Sequence, residues 1–141
     1  MIYLDTNVII YAIENHPKYG KKCKDILEDI ESEKLKAGCS VLVLVEIINV
    51  LTKLNKVLKE QKERALDIRK NVDAVLSLPI MWLDVNFAVI KKASEYNYNI
   101  SGADYTHIAT MELNSIRKII SADADFDKAE FIDRIDPLEY K

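Results

Sequence analysis

Glycine and proline are scarce, with three of each in 141 residues. Phosphate-binding P-loops and Rossmann-type turns need several closely spaced glycines, so a nucleotide cradle of either kind is excluded. A G-x-S-x-G nucleophile elbow is also absent. So few glycines and prolines leave little material for a flexible linker. The length and composition therefore predict a single domain over residues 1–141, ordered nearly from end to end.

Cysteine is scarce too, and long apolar runs are missing. Cys23 and Cys39 do not form a C-x-x-C motif, so we expect two reduced thiols rather than a metal or redox site. No apolar run approaches the roughly 20 residues that a membrane span needs. The N-terminus lacks the basic region of a signal peptide and has Asp5 where an apolar core would be required. These absences predict a cytoplasmic protein that does not associate with membranes.

A basic excess, which is typical of nucleic-acid-binding proteins, is also lacking, since the net charge is −3. The charged residues are nevertheless unevenly distributed along the chain. Residues 53–70 contain seven Lys or Arg and three acids. Such a segment is commonly an ordinary solvated helix face, and the alternative is a surface that follows phosphates.

Short apolar runs alternate with helical patterns along the whole chain. This alternation predicts an α/β protein with a parallel sheet covered by helices on both faces, a three-layer α/β/α arrangement. Strands are expected at residues 1–4, 36–39, 80–83, 118–121 and 131–135. Helices are expected from Val8, from Pro17, over 41–53, over 57–78, over 86–96 and from Ser101.

Several carboxylates stand where these elements begin or end. Asp5 directly follows the first strand, and ligands of open α/β sheets bind where strands end. Thr6 or Asn7 is expected to cap the helix that follows. Asp84 also follows a strand, but it precedes a helix and is interpreted as a cap. A position after a strand is therefore suggestive and not sufficient.

Glu46 lies in the middle of the apolar helical segment VLVLVEIINVL. A charge in the middle of a helix has no capping role, and a buried carboxylate without a partner is energetically costly. Glu46 is therefore expected to contact either a basic side chain or a metal ion.

Asp104 and His107 lie in the segment SGADYTH. Asp104 occupies the capping-box position behind Ser101, so its presence has a structural explanation as well as a functional one. His107 follows three residues later and can share a helix side with Asp104. We interpret His107 as a core histidine and His16 as a surface residue.

The acidic run ADADFDK follows the strand at 118–121. An EF-hand loop would need Gly and Glu where Lys128 and Arg134 stand, and a dehalogenase-type phosphatase would need Thr or Val at Asp127. The run is better explained as carboxylates delivered to the sheet edge that carries Asp5. Asp123 and Asp127 are the favoured candidates, with Asp125 expected to point towards solvent.

Together, LDTN, the Glu46 helix, ISGADYTHIAT and IISADADFDK resemble the acidic signature of PIN domains, and the length resembles the compact VapC-type toxins. The resemblance implies a central parallel sheet of about five strands and a groove at its carboxyl edge. It implies that Mg²⁺ or Mn²⁺ is held by Asp5, Glu46, Asp104 and Asp123, while Asp127 ligates a second ion or acts through water. It also implies that Asn7 and Ser121 hold these acids in place.

The function implied by the resemblance is that of a metal-dependent endoribonuclease that hydrolyses RNA phosphodiester bonds. It further implies control by a small, VapB-like antitoxin protein and assembly as a homodimer. Two alternatives stay open: a PIN nuclease of RNA processing or DNA repair without an antitoxin, and a non-catalytic binding module. A receiver-like signalling domain fits less well, because no convincing phosphoacceptor and lysine pair is present.

Overall fold

The computed structural model describes residues 1–141, and a five-stranded parallel sheet forms its centre. The strands are β1 (Ile2–Leu4), β2 (Ala37–Ser40), β3 (Ile80–Leu83), β4 (Lys118–Ile120) and β5 (Asp133–Ile135). Their order across the sheet is β3-β2-β1-β4-β5, and all four neighbouring pairs are parallel. The carboxyl ends of all the strands therefore meet at one edge, and the predicted parallel sheet is confirmed.

Six helices flank the sheet, as expected for three layers. They are α1 (Thr6–Ile13), α2 (Gly20–Glu31), α3 (Leu42–Glu60), α4 (Ile68–Leu76), α5 (Phe87–Ala93) and α6 (Gly102–Leu113). The largest core cluster packs α1, α2 and α3 against the sheet, and a second cluster includes Ile108 and Met111 of α6. No helix is both long and apolar enough to cross a membrane.

The central strand β1 is covered on both faces. Ile2 and Leu4 belong to the first core cluster, and Tyr3 between them belongs to the second. A strand buried on both faces has a continuous apolar sequence, which is why β1 shows no polar alternation. The chain then passes directly into α1, whose N-cap is Asp5 rather than Thr6 or Asn7.

The prediction of a helix break near residue 54 and a helix over 57–78 is wrong. Helix α3 continues to Glu60, because residues 53–57 contain no helix breaker, and a loop separates it from α4. In this loop Lys62 adopts a left-handed backbone conformation with φ of 57°. The Asn55 side chain bonds to both backbone groups of Leu66, and Asp67 caps α4. A side-chain contact between residues 11 positions apart therefore helps to fix this boundary.

The assignment of Asp84 as a helix cap is also wrong. Helix α5 begins two residues later than that assignment implied, and its N-cap is Asn86. The Asn86 side chain accepts a hydrogen bond from the backbone N–H of Val89 at 3.1 Å. Asparagine and aspartate are nearly equal as caps, so sequence preference alone does not separate these two positions.

Two adjacent isoleucines on α3 test which face of this helix supports the core. Ile47 is fully buried, whereas Ile48 is 44% exposed. We expect Ile47→Ala to lower the free energy of unfolding by about 2–5 kcal/mol, because the lost methyl groups leave a cavity. Ile48→Ala, the matched control, should cost less than about 1 kcal/mol. Urea unfolding of both variants measures the difference, and equal losses would contradict the assigned helix face.

Candidate functional site

Four of the predicted acids line one groove at the carboxyl edge of the sheet. They are Asp5 after β1, Glu46 on α3, Asp104 in the first turn of α6, and Asp123 after β4. The remaining wall is formed by Thr6, Asn7, Ile10, Tyr11, Glu14 and Val50. Because the strands are parallel, elements far apart in sequence deliver their acids to the same place.

Asp5 is the deepest of these acids, with only 6% of its surface exposed. Its Oδ1 accepts the backbone N–H of Thr6 at 2.7 Å. Its Oδ2 accepts the Ser121 hydroxyl at 2.6 Å and the Asn7 side-chain amide at 3.0 Å. Burial raises the pKa of Asp5 above its usual value, and the nearby His107 together with the Ser121 and Thr6 donors partly opposes that rise. Asn7 and Ser121 thus contact the acid that the resemblance linked them to.

Glu46 has the partner that its sequence context required, and this partner is a histidine. Its Oε1 accepts hydrogen bonds from His107 Nε2 at 2.6 Å and from the Thr6 hydroxyl at 2.9 Å. Burial favours a raised pKa, but the contacts with His107 and Thr6 outweigh it and lower the pKa of Glu46. Glu46 therefore stays ionised beside the other acids.

His107 is fully buried, as a core histidine would be, but it is bonded to a groove acid. Its Nδ1 is hydrogen-bonded to the Tyr3 hydroxyl, and that oxygen also accepts the backbone N–H of Ser40 at 3.2 Å. Burial favours a lowered pKa, yet the hydrogen bond to Glu46 and the nearby carboxylates raise the pKa of His107. The sequence did not indicate Tyr3, because it lies within an apolar strand pattern.

Asp125 lies closer to the other acids than the sequence analysis expected. Carboxylate oxygens of Asp104, Asp123 and Asp125 lie within 4.8 Å of one another. A short 3-10 turn over Ala124–Lys128 follows β4, and Asp123 Oδ1 accepts the backbone N–H of Asp125 at 2.9 Å. This turn brings Asp125 back towards Asp104. The Asp125 side chain is nevertheless 46% exposed and pairs with Lys128 at 3.2 Å, so the expectation that it points towards solvent is correct only in part.

Asp127 does not line the groove with the other four predicted acids. Arg134 on β5 donates to both of its oxygens, Nε to Oδ1 and Nη2 to Oδ2, each at 3.0 Å. The same guanidinium donates through Nη1 to the backbone carbonyl of Ser121 at 3.0 Å. This bidentate pair lowers the pKa of Asp127. Asp127 therefore joins the turn to β5, whereas the resemblance implied that it ligates a second ion or acts through water.

Asp104 shows the electrostatic strain of the groove. Burial and the neighbouring charges of Asp123 and Asp5 raise its pKa to about 6. Its helix position is also accounted for, since the Ser101 hydroxyl caps α6 by accepting the Asp104 N–H at 3.1 Å. Like charges held this close disfavour ionisation unless a cation joins them. The groove is thus a site with a strong preference for positive charge.

Comparisons with known proteins agree with this geometry. The chain is 25% identical to ribonuclease VapC6 of Methanocaldococcus jannaschii over 146 residues, covering 95% of each protein. It superposes on VapC20 of Mycobacterium tuberculosis, a sarcin–ricin-loop-cleaving toxin, with a TM-score of 0.70 and 20% identity, over 94% of this chain and 97% of the other. It superposes on a chain of the VapBC2 complex of Rickettsia felis with a TM-score of 0.68 and 21% identity, over 96% and 98%.

At these low identities, the two superpositions establish a shared fold. The family assignment rests on a match to the sequence model of a whole domain. That model is described as the PIN domain, and it matches residues 2–132 of the 141. Strands β1 to β4, the groove and its acids lie within the matched residues, and β5 (Asp133–Ile135) directly follows them. The chain therefore belongs to the PIN domain family.

Proposed function

We propose that this PIN domain is a divalent-metal-dependent endoribonuclease of the VapC type. The observation that carries the proposal is the convergence of Asp5, Glu46, Asp104 and Asp123 in one groove. The similarity to ribonuclease VapC6 along 95% of both chains supports RNA as the substrate. A non-catalytic module has no need for four carboxylates that repel one another, since removing any of them would relieve that repulsion.

The residues of the groove fit a hard divalent cation. The groove acids supply oxygen ligands only, which suit Mg²⁺ or Mn²⁺ better than zinc. The raised pKa of Asp104, about 6 through burial and its acidic neighbours, indicates a deficit of positive charge at this position. We assign Asp5, Glu46, Asp104 and Asp123 as the ligands, with Asp125 close enough to Asp104 to assist. When bound, such an ion activates water and stabilises charge on a phosphodiester.

The protein residues prepare this site before any ligand binds. Ser121, Asn7 and the Thr6 N–H fix both oxygens of Asp5. The hydrogen bonds to Glu46 keep it ionised, so it can bind a cation without first losing a proton. Fixed ligands lower the cost of ordering them on binding, which is how a rigid groove favours the geometry needed for phosphodiester hydrolysis.

A small antitoxin protein of the VapB type is the partner we propose. Solved structures with the same fold include the VapBC2 complex and a toxin–antitoxin complex from Klebsiella pneumoniae. Occlusion of the acidic groove by the antitoxin would account for control of the nuclease. Homodimerisation is proposed as well, since symmetric dimers are the commonest oligomers. Co-expression with the product of an adjacent small gene, followed by light scattering, tests both assemblies.

The catalytic assignment is tested at the deepest acid. We expect Asp5→Asn to lower the rate of RNA cleavage by about 100-fold or more, because the most buried ligand loses its charge. Cleavage of a mixed cellular RNA pool with Mn²⁺ or Mg²⁺, and with EDTA as a blank, measures the effect. Asp25→Asn, which removes an exposed acid on α2, is the matched control and should leave the rate unchanged. If Asp5→Asn cleaved RNA at the parental rate, the assignment of Asp5 as a catalytic residue would be refuted.

Electrostatic strain at Asp104 predicts a pH-dependent stability. Since its folded-state pKa is raised from 3.8 to about 6, the folded apoprotein gains stability as pH falls through about 6 towards 3.8. Asp104→Asn should raise the free energy of unfolding at pH 7.5 by about 1 kcal/mol, a value below the full shift because the side chain is partly exposed. The gain should shrink between pH 6 and pH 4.

Urea unfolding in EDTA, at pH 7.5 and at pH 4, measures this difference. Added Mn²⁺ should stabilise the parent more than Asp104→Asn, because the variant lacks one ligand charge. A loss of stability in Asp104→Asn at pH 7.5 would show that the acids of the groove do not repel one another as the structure indicates.

The lysines at the end of α3 are proposed as an RNA contact. Lys56, Lys59 and Lys62 border one shallow depression. Charge reversal at Lys56 and Lys59 should weaken RNA binding and flatten its salt dependence, because fewer counterions are released. Filter binding at several salt concentrations measures both effects. Charge reversal at Lys21 and Lys34, two exposed lysines outside α3, is the control with the same change in net charge. If both pairs of substitutions weaken RNA binding equally, the lysines of α3 form an ordinary solvated face.

A further inference from the structure

We propose that His107 and Thr6 are positioning residues that hold one oxygen of Glu46 so that its other oxygen faces the divalent cation. This inference rests on the proposed function. Both contacts converge on Oε1, from His107 Nε2 at 2.6 Å and from Thr6 Oγ1 at 2.9 Å. No protein group donates to Oε2, and the Glu46 side chain keeps 28% exposure where it lines the groove. The carboxylate therefore has one occupied and one available oxygen.

His107 is held firmly enough to orient its partner. The side chain is fully buried, and both ring nitrogens are engaged, Nε2 by Glu46 and Nδ1 by the Tyr3 hydroxyl. Tyr3 is itself fixed, because it is fully buried and accepts the backbone N–H of Ser40. The ring of His107 meets the ring of Tyr3 edge to face at 68°. A chain of contacts thus joins β1 and β2 to Glu46 through α6.

The contact between His107 and Glu46 does not depend on the charge of the imidazole. An ionised carboxylate only accepts hydrogen bonds, so Nε2 carries a hydrogen whether the ring is neutral or protonated. In the neutral ring Nδ1 accepts the Tyr3 O–H, and that phenol oxygen still accepts from Ser40. Histidine with a second partner on its far nitrogen has a fixed orientation, as at metal sites where outer contacts orient the ligands.

Without these donors, Glu46 would sample other rotamers. A glutamate side chain loses rotamer freedom when it is ordered, and this cost would have to be met at the moment of ion binding. The Thr6 hydroxyl and His107 meet it in advance, during folding. Thr6 is well placed to do so, since its backbone N–H also holds Asp5. Thr6 of α1 therefore helps to orient two proposed ligands, Asp5 and Glu46.

Two substitutions at His107 separate positioning from packing. In His107→Gln the terminal amide reaches the place of Nε2 and can still donate to Glu46. In His107→Asn the shorter amide reaches only the place of Nδ1, near Tyr3. Both variants lose the ring, so a merely structural histidine would make them equal in ion binding. Thr6→Val removes the second donor to Oε1 at nearly constant volume, and Thr110→Val, which loses a hydroxyl bonded within α6, is its control.

Mn²⁺ affinity of the RNA-free protein, measured by calorimetry, is the principal readout. We expect His107→Asn to weaken binding by about 10–100-fold. His107→Gln should bind more tightly than His107→Asn, Thr6→Val should bind more weakly than the parent, and Thr110→Val should match the parent. With RNA, kcat at fixed Mn²⁺ should follow the same order while KM for RNA stays constant.

Equal Mn²⁺ affinities for His107→Asn and His107→Gln, in protein shown to be folded by thermal unfolding, would overturn the proposal. If either His107 variant does not fold, Thr6→Val decides, because it tests the same oxygen from α1. Glu46→Gln separates this failure from failure of the proposed function. If Glu46→Gln binds Mn²⁺ and cleaves RNA as well as the parent, the proposed metal site itself is refuted. If Glu46→Gln loses both properties while the Thr6 and His107 variants behave like the parent, only the positioning role is refuted.

Discussion

The burial of the Asp5 carboxylate is the constraint on which the arrangement of this protein depends. A buried charge is tolerated only where hydrogen bonds replace its water, and the three side-chain or backbone donors to Asp5 come from two separate parts of the chain. Ser121 lies just after β4, which pairs with β1. The pairing of β1 with β4 therefore also brings Ser121 into hydrogen-bonding distance of the Asp5 carboxylate.

The remaining acids follow from that arrangement. Once β1, β2 and β4 are neighbours, α3 starts beside α1, and Glu46 comes within reach of Thr6. The turn after β4 brings Asp123 and Asp125 towards Asp104 on α6. Burial, followed by the charges of Asp123 and Asp5, raises the pKa of Asp104, so the acids lie closer together than their charges favour. The core, rather than the site, supplies the stability that keeps them there.

Two carboxylates of this region are held by different kinds of hydrogen-bond donor. Glu46 and Asp127 both have lowered pKa values, the first through a fully buried histidine and the second through a partly buried arginine. The histidine occupies one oxygen of Glu46, and the arginine occupies both oxygens of Asp127. This difference leaves one oxygen of Glu46 without a protein donor, whereas both oxygens of Asp127 are used to join the turn to β5.

The sequence by itself determined the fold class and the acids that could act. Alternating apolar runs and helical patterns are local signals, and so is a charge in an apolar helix such as Glu46. Tertiary structure decided the rest. The contact between Asn55 and Leu66 helps to fix the end of α3. The turn after β4 places Asp125 near Asp104, and Arg134 forms an ion pair with Asp127. Tertiary structure also decided that Glu46 meets His107, 61 residues away. Such pairings depend on which strands become neighbours, and no local pattern encodes that choice.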